Sequence, residues 1–338
     1  MCHYNDRPCL HPQSLADSDA VFDRIAGLIR RVLGTDAQLQ SARILTGGAS
    51  AETWRVVLLG HPDLILRRRV HAEARPGAMA MHNEIDIQRR ARDGGVAAPE
   101  IIAALDPADE LGEGYLMTCI EGETLGKRIA RDDAFAEARR VLAHQCGEQL
   151  AMLHAVEKPD WAQAVSIDEL LEQNFEVYLS HGEHIPVFEY AFRRLGERSP
   201  GGDMPACPQH GDFRNGNLVV HPEAGLAGVL DWELFHIGPR LSDLGWLCVN
   251  SWRFGNIEQT VGGFGERAEL LAAYNSISGG DWRPDDLDFW IAWGSLRWGI
   301  ICQRQARVHL DGHTHSLEHA AIGRRVSETV LDLLDALL

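Results

Sequence analysis

Apolar residues recur at helical spacing over residues 18–33, at Val21, Phe22, Ile25, Leu28, Ile29 and Val32, and Gly34 supplies a stop. The pattern then changes. Ala42–Leu45, Trp54–Leu59 and Leu64–Arg69 read as strands, separated by the loop Thr46-Gly47-Gly48-Ala49-Ser50 and the turn His61-Pro62-Asp63. A helix is predicted around Met79–Ala91, ending before Gly94-Gly95, with further strands over Val96–Ile102 and Tyr115–Ile120. Together these describe a small antiparallel sheet with one helix packed on it. Beyond Glu121-Gly122 the spacing becomes helical. Phe135–His154 is amphipathic, with Val141, Leu142, Leu150 and Leu153 on one side, and residues 167–196 hold one or two more helices. The stretch Gln209–Trp232 interrupts this with a loop and two short strands, Leu218–Val220 and Gly228–Leu230, and from Leu241 helix is predicted through to Leu338. The expected organisation is α+β: an exposed N-terminal arm over 1–20, a sheet-bearing lobe over 21–118 and a mainly helical lobe over 119–338.

The bulk numbers narrow the function classes. No run of eighteen apolar residues is present and the first residues lack the apolar core of a signal peptide, so a cytoplasmic protein that spans no membrane is expected. Seven scattered cysteines without a CxxC pair read as reduced thiols filling the core. Cys2, His3, Cys9 and His11 match the spacing of no standard metal site. A net charge of −17 argues against nucleic acid and anionic membranes as partners, because both require a basic face. Residues 1–116 hold 13 basic and 16 acidic groups, leaving −14 for the remainder, which favours solubility and would also attract a cationic substrate.

The chemistry concentrates in His210-Gly211-Asp212-Phe213-Arg214-Asn215-Gly216-Asn217, followed by Asp231 at the end of the strand Val229-Leu230. A hydroxyl nucleophile needs a carboxylate within hydrogen-bond reach to orient it and accept its proton. Nucleotide phosphates need a hard cation held by oxygen ligands, of which the protein supplies only one or two. An Asp, an Asn five positions on, and a second Asp fourteen positions later across a short hairpin meet both needs. The motif resembles the H-R-D-x-x-x-x-N loop of protein kinases, and more closely the H-G-D-x-x-x-x-N of aminoglycoside phosphotransferases and choline kinases.

That resemblance extends over about residues 40–310 and implies a two-lobed kinase-like fold, with Asp212 as base, Asn217 and Asp231 as Mg²⁺ ligands, and ATP as donor. It implies that the loop containing Gly47, Gly48 and Ser50 folds over the phosphates, where glycines let backbone N–H groups approach. The strand lysine of kinases cannot be present, since Lys127 and Lys158 are the chain's two lysines, and Arg67 is assigned its role. Glu84 is its expected helix partner, and backbone groups from Thr118 to Ile120 are expected to meet the nucleotide base. Arg214 falls where a positive charge would stabilise the transferring phosphoryl group. His210 and Asp243 are expected to brace the catalytic loop, and Glu233 to lie near metal or substrate.

HGDFRNGN, LDWE and SDLGWL look closest to the bacterial phosphotransferases related to the kinase-like domain fused to certain acyl-CoA dehydrogenases. This implies a small-molecule hydroxyl substrate, such as a hydroxyacyl-CoA. Trp246, Trp252, Trp282, Trp290, Trp293 and Trp298, accompanied by Arg253, Arg297, Arg304 and Arg307, are either helical core or an acceptor wall suited to an apolar, anionic molecule. Two rival readings are a regulatory nucleotide-binding pseudokinase and a true aminoglycoside kinase. A protein kinase is disfavoured because no A-P-E motif or long activation segment follows Asp231.

Overall fold

A computed structural model describes residues 14–47, 51–69, 79–200, 204–312 and 317–338. Residues 1–13 of the expected arm lie outside the described residues, as do Gly48 and Ser50 of the phosphate loop. The chain divides into two compact units. The first comprises Met1–Asp93, Ala97–Glu121 and Trp232–Leu234; the second comprises Gly94–Val96, Gly122–Asp231 and Phe235–Leu338.

The first unit is built on a five-stranded sheet of order β1-β2-β3-β5-β4, antiparallel throughout. Its strands are β1 (Leu39–Gly47), β2 (Glu52–Leu58), β3 (Leu64–Arg69), β4 (Ile101–Ala104) and β5 (Glu113–Thr118). The two-residue period of β3 divides the core. Leu64 and Leu66 join Val56, Leu58 and Leu116 against Ile25, Leu28 and Ile29 of helix α1 (Ser14–Leu33). Ile65 joins Tyr115 and Met117 on the other face, against Met81 and Ile85 of α2 (Met81–Asp93). Arg67 therefore shares a face with Ile65 and lies on the α2 side. A bidentate pair from Arg31 to Asp109, at 2.9 and 2.6 Å, ties the end of α1 to the turn before β5.

Strand is found only over Ile101–Ala104 where Val96–Ile102 was predicted. Residues 96–100 are extended but bonded otherwise: Gln88 and Arg92 of α2 donate side-chain N–H groups to the carbonyls of Pro99 and Ala98.

The second unit holds α3 (Gly126–Arg131), α4 (Ala136–His154), α5 (Ile167–Ser180), α6 (Pro186–Glu197), α7 (Ser242–Leu247), α8 (Arg267–Ser278), α9 (Asp288–Leu310), α10 (Leu317–Gly323) and α11 (Val326–Leu337). Two hairpin-like pairs interrupt the helices: β6 (Ala206–Gln209) with β9 (His236–Pro239), and β7 (Leu218–His221) with β8 (Gly225–Val229). The β6–β9 pair was not legible in the sequence. On α4 the buried stripe is Leu142, Cys146, Leu150 and Leu153, while Val141 is 39% exposed, correcting its predicted place on that side. Nor is the chain continuously helical after Leu241. Between α7 and α8 it runs through 3₁₀ and irregular turns, with Phe254, Gly255, Gly262 and Gly263 in the left-handed region that an α-helix cannot use.

Candidate active site

In the first unit, the guanidinium of Arg67 lies between two carboxylates. Its Nε is 2.9 Å from Glu84 Oε1, and its Nη2 donates to Glu233 Oε2 at 2.8 Å. Glu84 is fully buried and also accepts the Tyr115 hydroxyl at 2.8 Å. The pairing follows from the sheet, which turns Arg67 toward α2, and from the single 3₁₀ turn Trp232–Leu234, which packs on the same helix. Arg68 points to the opposite face and pairs with Glu52 at 2.8 Å. At the end of β5 the N–H of Thr118 is donated to Glu100 and that of Cys119 to Asp63, so of the three expected hinge positions only Ile120 has an N–H outside this bonding among the described residues. Gly47 ends β1 opposite Glu52.

In the second unit the His210–Asn217 motif forms a tight loop between β6 and β7. Gly211 sits at φ 81° and Gly216 at φ 106°, conformations in which a Cβ is strained, so the two glycines make the loop possible. The carboxylate of Asp212 is held on both oxygens. Oδ1 accepts from Arg214 Nε at 2.9 Å and from the indole Nε1 of Trp246 at 2.9 Å, and Oδ2 accepts from Asn217 Nδ2 at 2.7 Å. Asn217 Nδ2 also reaches the Asp212 carbonyl at 2.9 Å. Arg214 lies over the Trp252 ring, 4.6 Å from its centroid, and donates Nη1 to the Asn215 carbonyl at 2.8 Å. The Asn217 carbonyl accepts the N–H of Leu230 at 2.7 Å, joining the loop to the segment that carries Asp231. Asp231 itself has φ 66°, a left-handed value that non-glycine residues adopt rarely and Asp more readily than most, and one often found at functional positions.

The loop rests on a buried polar network. Asp243 accepts the N–H of His210 at 2.6 Å and of Gly211 at 3.0 Å. Burial alone would raise the Asp243 carboxyl, but the contact with His154 outweighs it and holds the group below the ordinary carboxylate range. His154 lies 3.7 Å from Asp243 and 2.9 Å from the Tyr274 hydroxyl, which also accepts from Arg240 at 3.1 Å. Burial opposes charge on His154, yet Cys207, Tyr274 and Asp243 together raise it well above an ordinary histidine. His210 is pushed down, chiefly by burial. Its Nδ1 accepts the Asp212 N–H at 3.2 Å while Nε2 faces the Leu230 carbonyl at 3.0 Å, an arrangement that suits the neutral ring and a propping role.

The sequence reading passed over Trp246 as an individual and gave Arg297 no place in the loop. Arg297 donates Nη2 to the Gly211 carbonyl at 2.9 Å and stacks on Trp246, 4.6 Å from its ring centroid. The available signal was that Trp246 stands one helical turn after Asp243 on the short α7, beside the loop that Asp243 braces. Trp246, Trp252, Trp290, Trp293 and Trp298 are all at most 9% exposed, so they are core, with Arg297, Arg214 and Arg325 stacked on Trp246, Trp252 and Trp298. Cys248 and Cys302 are free thiols pushed up to about 12, mainly by burial, as core-filling cysteines should be.

A small antiparallel sheet lobe, a mainly helical remainder and an Asp-x-x-x-x-Asn loop define the protein-kinase-like class of phosphotransferase folds. More particularly, the chain belongs to the phosphotransferase enzyme family, whose model matches residues 41–298. It is 27% identical over 318 residues to acyl-CoA dehydrogenase family member 11 of Gallus gallus, which covers 87% of this chain but only 40% of that protein. Its fold is similar to that of a Ralstonia eutropha protein assigned to the aminoglycoside phosphotransferases, with a TM-score of 0.71 at 21% identity, covering 93% of this chain and 97% of that one. It is also similar to spectinomycin phosphotransferase solved with ADP and spectinomycin, with a TM-score of 0.63 at 12% identity, covering 93% and 98%. Among the described residues no helix is long and apolar enough to cross a membrane.

Proposed function

We propose that the protein transfers the γ-phosphoryl group of ATP to a hydroxyl of a small molecule, with Asp212 as the base and Asn217 and Asp231 as Mg²⁺ ligands. The observation that carries this reading is the hydrogen bonding of Asp212. An ionised carboxylate offers about four lone-pair sites. Two donors occupy Oδ1 and one occupies Oδ2, so the remaining site is on Oδ2, where an incoming hydroxyl can donate. The acceptor oxygen bonds to the γ-phosphorus, the bond to the ADP oxygen breaks, and the hydroxyl proton passes to Asp212.

The residues fit the metal. Because Asn217 commits its Nδ2 to Asp212, its Oδ1 is the atom left to serve as a hard oxygen donor, and Asp231 adds a carboxylate. Two protein oxygens completed by phosphate and water suit Mg²⁺. When bound, the ion would neutralise the phosphate charge. Arg214 keeps a positive charge beside the base, where it offsets charge on the transferring group, and the ion pair of Arg67 with Glu84 stands in for the kinase lysine–glutamate pair. Gly47, at the end of β1, opens the loop assigned to the phosphates, and the backbone from Thr118 to Ile120 receives the nucleotide base, with the Ile120 N–H as its donor.

A hydroxyacyl-CoA is the acceptor class we favour, since the relatives that match along most of the chain are acyl-CoA dehydrogenase family members. The test is a metabolite screen with Mg-ATP, including hydroxyacyl-CoAs and aminoglycosides, read by ADP release. Saturable turnover with hydroxyacyl-CoAs that disappears in Asp212→Ala, while that variant still binds nucleotide, is the expected result. Undiminished turnover in Asp212→Ala rejects the mechanism, and turnover confined to aminoglycosides rejects the acceptor class.

A further inference from the structure

We infer that Trp246 is a positioning residue for phosphoryl transfer: its indole N–H, together with Arg214, saturates Oδ1 of Asp212 and so selects Oδ2 as the oxygen that takes the proton. The inference rests on Asp212 being the base and adds which of its oxygens acts and what fixes that choice. A carboxylate on a free χ2 torsion can present either oxygen, because that torsion is broad and two-fold. Here the rotation is blocked from both sides. Asn217 approaches Oδ2 at 2.7 Å, while Trp246 Nε1 and Arg214 Nε approach Oδ1, each at 2.9 Å.

Trp246 is itself held rigidly. It is 3% exposed, packs edge-on against Trp252 with ring centroids 5.2 Å apart, and carries the Arg297 guanidinium on its face at 4.6 Å. Arg297 in turn donates to the Gly211 carbonyl at 2.9 Å, so one guanidinium fixes both the indole and the residue before the base. Indole is a donor only, with no acceptor and no titration of its own, so this contact keeps its direction whatever the pH. A packing role alone would require the ring and not its N–H.

The test replaces the N–H without replacing the ring. A benzothiophene isostere of tryptophan incorporated at position 246 puts sulfur where the N–H stood, and Trp246→Phe gives a second variant of smaller volume. Both are assayed for kcat, KM for ATP and nucleotide affinity, with near-ultraviolet circular dichroism to verify the fold. Loss of one oriented hydrogen bond to a charged group predicts a kcat lower by roughly 10- to 100-fold, with KM for ATP and nucleotide affinity unchanged. Placed in an Asp212→Asn background, the isostere should alter the residual turnover by less than about twofold, because the coupled partner is already gone. Unchanged kcat in the isostere, or an equal fold-loss in both backgrounds, overturns the inference while leaving the base assignment intact. Full turnover in Asp212→Asn alone removes the base assignment and the inference with it.

Discussion

Arg67 and Glu233 lie 166 positions apart and are joined at 2.8 Å, on a guanidinium that is also 2.9 Å from Glu84. A planar fork can meet carboxylates in two directions at once, which a single ammonium at the end of a flexible stem does less well. This suits an arginine at a strand position that two carboxylates approach from different sides. Glu84 is wholly buried, and removing its cation leaves an uncompensated charge. Arg67→Met is therefore expected to lower stability by roughly 3–5 kcal/mol, measured by urea denaturation. Arg67→Lys should lose less than half as much. Adding Glu84→Gln to Arg67→Met should recover most of the loss, and strict additivity of the two would show that the pair is not coupled.

The catalytic loop makes a separate demand on its backbone. Gly211 has φ 81° and stands between two residues whose N–H and side-chain bonds fix the loop. Gly211→Ala should cost about 1–2 kcal/mol from the left-handed conformation alone. If the loop relaxes instead, the contacts of Asp212 are lost and kcat falls while nucleotide affinity persists. Parallel thermal melts and turnover assays measure the two effects; wild-type values in both would mean that the residue is not strained there.

How much of this was legible beforehand varies with the kind of residue. The strands of the sheet follow from short apolar runs bounded by loop and turn residues, and the loop from Asp212 to Asn217 follows from spacing within one short segment. The family resemblance suggested Arg67 and Glu84, with strand alternation narrowing the choice to the face that Arg67 shares with Arg69. What escaped are contacts that sequence separation hides. Trp246 is 34 positions from Asp212 and Arg297 is 86 from Gly211, and both look like ordinary apolar-helix residues until the chain folds. The β6–β9 pair was missed for the same reason: four-residue strands such as Ala206–Gln209 and His236–Pro239 carry too few positions to show a period, and their paired residues are 27 to 33 positions apart in sequence. Turns after α7 defeated the prediction of continuous helix: Val249 with Trp252, and Val261 with Phe264, keep the i, i+3 spacing of a helix, yet Phe254, Gly255, Gly262 and Gly263 at positive φ break it.

Asp231 provides a test of the metal reading. On that reading, replacing it with asparagine removes one negative charge from the metal site and leaves a neutral, weaker amide oxygen in its place. Since loss of even an outer-shell partner typically weakens metal binding 10- to 100-fold, Asp231→Asn should raise the Mg²⁺ concentration for half-maximal turnover by at least about tenfold. Magnesium titrations at saturating ATP measure this. An unchanged magnesium requirement, with the fold intact by circular dichroism, would exclude Asp231 as a ligand.

The brace beneath the loop predicts a pH dependence whose sign can be worked out. Asp243 titrates below its unfolded value of about 3.9, because the contact with His154 outweighs the penalty of burial. A depressed carboxyl stabilises the fold above its unfolded pKa, and that contribution is lost as pH falls through the folded one. His154 moves the other way: burial opposes its charge, but Cys207, Tyr274 and Asp243 raise it. Its contribution is complete below about pH 6.5 and disappears only as pH climbs through the raised value. The stability difference between the native protein and Asp243→Asn should therefore be flat from about pH 4 to beyond 6.5, and shrink on either side. At the plateau, two hydrogen bonds to a buried carboxylate make a difference of about 2–4 kcal/mol reasonable. Urea denaturation of both proteins from pH 3 to pH 9 measures it, and titration of the other carboxylates cancels in the comparison. A difference that grows as pH falls below 4 would require a carboxyl that is protonated in the fold, and that would remove the brace from beneath His210 and Gly211.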